Sequence, residues 1–208
     1  LLFTAPATPL MEKAVMPLTV VLAVSQSQVM LTSPPGILKL FPVIVLYLAP
    51  GAENAYRMAK SAADALGISP DDVIVCSTGV IGQQLPVEKI EKNMAALRAG
   101  LSKKGHEEAR VAIMTTDTHY KECAAQFTVG GKKVTIGTMC KGSGMIHIHM
   151  GTMLGFITTD CAISAEMLDK ALRESILGTY NCVSVDGDTS TNDTLTVMAN
   201  GMAGNREI

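Results

Sequence analysis

Lys141 to Asp160 reads KGSGMIHIHMGTMLGFITTD, and the order of residue types in this stretch decides how the chain folds around it. A glycine-rich segment comes first, then the pair Gly151-Thr152, then the short apolar run MLGFITTD, which predicts a buried strand ending on hydroxyls and Asp160. Immediately upstream, QFTVGGKKVTIGTM predicts a hairpin, two alternating strands turned at Gly130-Gly131. Downstream, AEMLDKALRESILG predicts a helix stopped by Gly178, and NCVSVDGDTSTNDTLTVMANG a strand, a polar loop and then a further strand or a helix start.

Farther upstream the pattern alternates between helix and strand. NAYRMAKSAADALG has helical spacing and a stop at Gly67, and Ser69-Pro70-Asp71-Asp72 forms a turn into VIVCSTGVIG. That run predicts a strand opening into a Ser-Thr-Gly loop with exposed amides. Pro86 to Leu101 predicts an amphipathic helix with Ile90, Met94 and Leu97 on one side. VAIMTTD reads as another strand, which places Thr118 in a loop just past its end. The fold class is therefore mixed α/β, in one compact domain or two small lobes.

Composition narrows the function classes. The 208 residues are 48% hydrophobic, enough for a sizeable core. With 17 Lys and Arg against 19 Asp and Glu, there is no basic footprint for nucleic acid or an anionic membrane. Small molecules or other subunits are the expected partners. The N-terminal runs AVMPLTVVLAV and ILKLFPVIVLYLAP are broken by Pro17, Gln26, Pro34, Pro35 and Pro42, so they predict buried strands rather than a span of about 20 apolar residues. Cys76, Cys123, Cys140, Cys161 and Cys182 contain no C-x-x-C pair, and no secretory leader precedes them; free thiols in a cytoplasmic protein are expected. The first residue is Leu1, as expected of a fragment or a processed or misread start.

The chemistry of the opening stretch centres on Thr152. A chain cut before it would begin with a threonine whose hydroxyl attacks while the freed α-amine, with a pKa of about 8, takes the proton. An ordinary strand-entry threonine is the alternative reading. Lys141 before Gly-Ser-Gly fits a solvated loop charge or a phosphate contact, but the P-loop spacing is absent. His147 and His149 could face one side of a strand as metal ligands, but no third ligand lies at metal-site spacing. VDGDTSTND lacks the EF-hand spacing, so its carboxylates are expected to satisfy loop amides near the active site.

STGVIG (Ser77 to Gly82), TTDT (Thr115 to Thr118), KGSGMIH (Lys141 to His147), the residues around Thr152 and VDGDTSTND (Val185 to Asp193) resemble, in order, signature blocks of the glutamate/ornithine N-acetyltransferase family of arginine biosynthesis. The resemblance covers roughly residues 54 to 205. It implies self-cleavage between Gly151 and Thr152, with Thr152 as the nucleophile that carries an acetyl group from N-acetylornithine to glutamate and releases ornithine. It further implies an oxyanion hole from the Thr78 hydroxyl and the Gly79 amide, and substrate binding by Thr118, Lys141 and Thr152. No cofactor or metal is implied, although acetyl-CoA serves some members as a donor. The fold implied is of stacked helix and sheet layers, and the natural assembly implied is a heterotetramer of two α and two β chains.

Three departures from the family pattern shape the expectations. At the cleavage site His147 to Leu154 reads H-I-H-M-G-T-M-L where the family usually has H-P-N-M-A-T-M-L, a more flexible loop in which cutting is expected to slow or fail. Residues 1–53 form a divergent segment, 54–151 an α-chain-like part, and 152–208 the start of a truncated β-chain-like part. The expected copy is thus incomplete. Two alternatives follow: an inactive truncated member, or a threonine amidohydrolase or aminopeptidase that gives its acyl group to water.

Overall fold

The structure is a computed structural model that describes residues 21–24, 29–30, 51–80, 83–147, 153–190 and 193–208. Helix α1 (Gly51–Leu66) buries Met58, Ala59, Ala62 and Ala63, the small face that its helical spacing promises. It stops where expected, because Gly67 adopts the left-handed conformation at φ 72° and its N–H returns to the Ala63 carbonyl. Ser69 then caps a 3-10 turn (Pro70–Asp72), its hydroxyl accepting from the Asp71 N–H, and the chain enters β3 (Ile74–Ser77).

β3 pairs in parallel with β1 (Val21–Val24), Val21 opposite Ile74 and Val24 opposite Ser77, while β2 (Val29–Met30) runs antiparallel on the other side of β1. These two short strands fall in the N-terminal stretch that the sequence assigns to strands. The remainder of the apolar runs, residues 1–20 and 31–50, lies outside the described residues.

Helix α2 (Val87–Ala99) buries Val87, Ile90 and Met94 against α1, and Leu97 packs at the edge of the same cluster. Val73 and Val75 close it from beneath. α3 (His106–Ala112) corrects the sequence reading, for Val111 and Ala112 end a helix rather than begin a strand. A four-residue apolar run does not distinguish the two, and here Ala109 and Ile113, one helical turn apart, face the core while Val111 stays exposed.

The second sheet has the order β4-β5-β6-β7. β4 (Lys121–Val129) and β5 (Lys132–Lys141) form the expected hairpin, with Gly130 and Gly131 at φ 55° and 79°, the paired positive values of a two-residue turn. β6 (Leu154–Thr159) runs antiparallel to β5, and β7 (Thr194–Ala199) parallel to β6. Between them lies α4 (Ala165–Ile176), capped by the Ser164 hydroxyl accepting from the Met167 N–H. Its end is not a left-handed Gly178, since the capping Leu177 remains right-handed at φ −62°. Nor is Asn181–Val185 a strand: a 3-10 turn (Tyr180–Cys182) leads into irregular loop.

Cys76 and Ile74 from β3, Ile113 behind α3, Met139, Leu154, Phe156 and Met198 from the second sheet share one core. β3 therefore has Val75, and Val73 just before it, toward the helices and Ile74 and Cys76 toward the larger sheet, the period-two alternation of a strand between two layers. Tyr180 lies on the opposite face of that sheet, its hydroxyl 3.1 Å from Thr138 Oγ1 and its ring over Gly155. The stacked helix and sheet layers match the fold class read from the sequence.

Candidate active site

Three strand ends bring the site residues together. Lys141, the last residue of β5, lies opposite Leu154, the first of β6, which in turn lies beside Thr194, the first of β7. At about 4.8 Å between neighbouring strands, Lys141, Met153 and Asp193 share one end of the sheet. β3 arrives at the same end, for the Cys76 thiol lies beside the Thr194 side chain. Two residues further on, Thr78 is half-buried and Gly79 exposed, the open Ser-Thr-Gly loop that the sequence describes. Burial pushes the Cys76 thiol up to about 12, so it stays protonated and inert.

The loops at this end are held by carboxylates. Buried Asp117 accepts from the Gly142 N–H at 2.8 Å, from Lys121 Nζ at 2.5 Å and from the Thr115 N–H at 3.3 Å. With the Thr116 hydroxyl 2.8 Å from that of Ser143, it ties the loop carrying exposed Thr118 to the loop after Lys141. Asp186 accepts from Met145 and Ile146 N–H at 2.5 and 3.0 Å. This holds Met145, whose φ of 55° makes it the one non-glycine residue with positive φ among those described. Asp193 accepts from the Met153 N–H at 2.7 Å. Two carboxylates of VDGDTSTND, Asp186 and Asp193, thus satisfy loop amides, as read from the sequence.

These contacts set the electrostatics. Burial raises the Asp117 carboxyl, but Lys121 and the two backbone amides outweigh it and hold it below its ordinary range. At Asp186 the Met145 amide is the largest cause and lowers the carboxyl. At Asp193 burial wins and raises it, against Met153, Ser190 and Lys141. Lys141 is 3% exposed, and burial lowers its ammonium below the ordinary lysine value, with Asp117 and Asp193 opposing. A buried ammonium flanked by two carboxylates at a strand end is not the solvated loop charge of one alternative reading.

Sequence reasoning singled out Thr118 but missed Asp117 beside it, and it missed the support behind that loop. Glu122, on β4, accepts from His106 Nδ1–H at 2.7 Å and from Arg110, whose guanidinium lies 4.0 Å over the Tyr120 ring. Side chains 106, 110 and 122 thereby join α3 to β4 on either side of residues 113–120. The signal was present in the acidic and basic residues of HEEAR, which suit a helix better than a loop.

Gly151, Thr152 and His149 lie outside the described residues. His147 is within hydrogen-bond reach of the Ser184 hydroxyl, at 3.3 Å. Among the described residues no group of three or more His, Cys, Asp and Glu side chains is placed to hold a metal ion, and no helix is long and apolar enough to cross a membrane.

The model of the ArgJ family matches residues 48–208. The chain belongs to the ArgJ family. It is 53% identical over 158 residues, 76% of its length, to the arginine biosynthesis bifunctional protein ArgJ of Symbiobacterium thermophilum, and 51% identical over 155 residues to that of Bacillus subtilis, 74% of its length. It spans about two fifths of these curated relatives, 39% and 38% of their lengths. The crystal structure of the Bacillus halodurans ArgJ protein is similar in fold, with a TM-score of 0.50 at 29% identity over 72% of this chain and 73% of that one. The resemblance read from the five blocks is therefore membership of the ArgJ family.

Proposed function

We propose that this ArgJ-family chain transfers an acetyl group from N-acetylornithine to glutamate in arginine biosynthesis, through an acetyl ester on Thr152. The observation that carries the proposal is the convergence of the Ser-Thr-Gly loop, buried Lys141 and the carboxylate-held residues flanking Thr152 at one end of the sheet. Cutting between Gly151 and Thr152 frees the α-amine that serves as base. The Thr152 hydroxyl adds to the acetyl carbonyl and gives its proton to that amine. The Thr78 hydroxyl and Gly79 amide donate to the oxyanion, a role worth about 3 kcal/mol per donor.

Collapse of the tetrahedral adduct breaks the C–N bond, and ornithine leaves with the proton. Glutamate's amine then attacks the ester, Thr152 recovers its hydroxyl, and N-acetylglutamate departs. Lys141 holds the substrate carboxylate, and Thr118 on its Asp117-tied loop orients it. Acetyl-CoA is a second donor, and no cofactor or metal enters. Two α and two β chains form the working assembly.

The test is the intact mass of the purified chain before and after N-acetylornithine. Two fragments divided at Gly151-Thr152, with one added acetyl on the second, together with N-acetylglutamate when glutamate is supplied, are the expected result. Free acetate without an acceptor would make the chain an amidohydrolase. A single unmodified species of 21.9 kDa would mark it as an inactive member.

A further inference from the structure

Thr152 stands in the sequence between two segments bound to carboxylates. Before it, Asp186 takes the N–H groups of Met145 and Ile146; after it, Asp193 Oδ1 takes that of Met153 at 2.7 Å. Met153 follows Thr152 directly in the chain, so a hydrogen bond to its N–H anchors the backbone one residue after the nucleophile. The acceptor is itself held. The Thr194 N–H donates to the Met153 carbonyl at 3.0 Å, so both backbone groups of Met153 are engaged by the consecutive residues Asp193 and Thr194. Ser190 makes a further side-chain hydrogen bond to Asp193, and Lys141 acts on it through charge.

We propose that Asp193 is the positioning residue for Thr152, its carboxylate anchoring the Met153 amide directly after the nucleophile and so restricting where the backbone can present it. The inference rests on Thr152 being the nucleophile. A charge-assisted hydrogen bond suits this task because it is shorter and about twice as strong as a neutral one. The alternative role for Asp193, setting the charge of Lys141, is separable: asparagine keeps an acceptor oxygen at the same place and gives up the charge.

The full 208-residue chain, Asp193→Ala and Asp193→Asn are compared in single-turnover acetylation by N-acetylornithine and in hydrogen exchange at the Met153 amide. Asp193→Ala is expected to slow acetylation about 100-fold while half-saturation by N-acetylornithine changes little, and to open the Met153 amide to exchange. Asp193→Asn is expected to recover to within about 10-fold of the parent and to keep that amide protected. If Asp193→Asn is as slow as Asp193→Ala, or if Met153 stays protected in Asp193→Ala, the positioning role is wrong. Should Asp193→Ala not fold, Asp193→Asn decides alone, a retained rate supporting the role and a loss of about 100-fold overturning it. A parent that never takes acetyl on Thr152 overturns the nucleophile reading and the inference with it, whereas an active parent matched by Asp193→Ala removes the inference alone.

Discussion

The layer of α1 and α2 and the loops at the Lys141 end of the larger sheet are held by opposite means. In the helical layer Met58, Ala62, Val87, Ile90 and Met94 form a cluster of apolar side chains, and its joining ion pair, Arg57 to Glu91, sits at the half-exposed surface. At the strand ends the bonds are directional: Asp117, Asp186 and Asp193 each take named backbone amides. Apolar packing supplies stability without fixing position to a fraction of an ångström. Carboxylate-to-amide bonds fix position, and Asp117, Asp186 and Asp193 use them to hold the loops at the Lys141 end.

Thr152→Ala tests this contrast most severely. It is expected to abolish both cutting and acetylation while leaving the unfolding midpoint close to the parent's; intact mass and urea titration read both. Asp117→Ala should damage both properties, costing about 3 kcal/mol because Lys121 and two amides lose a buried acceptor, and raising KM through the freed Thr118 loop. It should also change the acid limb. Because the folded Asp117 carboxyl lies below its ordinary 3.8, its contribution is complete above that value and disappears as pH falls through the lower folded one; the substituted chain lacks that loss in acid titration.

Ile90→Ala, in the other region, is expected to cost about 2–4 kcal/mol in urea and leave KM and kcat of the remaining folded protein unchanged. Altered kinetics there would break the division between the two regions. Glu91→Ala should have the smallest effect, a lowered urea midpoint at low salt that vanishes at about 1 M salt, where the screening length falls to about 3 Å.

Much of this division was legible in the sequence. Gly67 and Gly130-Gly131 punctuated the chain where the backbone turns left-handed, and the alternation in β5 and the helical spacing in α1 and α2 named the core residues. The directional part was harder to read. Asp117 is one polar residue among hydroxyls in TTDT, and nothing local says that it reaches the amide of Gly142, far along the chain. VAIM was misread because a run that short carries no period, and the decisive facts, Ala109 and Ile113 meeting the core, are tertiary. Thr118 and Lys141 were legible only through the resemblance; the structure adds that one carboxylate ties their loops together.

The register of the larger sheet bears on what self-cleavage would produce. A cut between Gly151 and Thr152 divides the four strands two and two, β4 and β5 in one piece and β6 and β7 in the other. Yet β5 and β6 face each other across that boundary through six residue pairs, from Ile136 opposite Thr159 to Lys141 opposite Leu154. The severed polypeptide would therefore remain one particle, like cloth cut along a seam that is still stitched: a tag on either piece should retain both in native buffer, and only denaturant should part them.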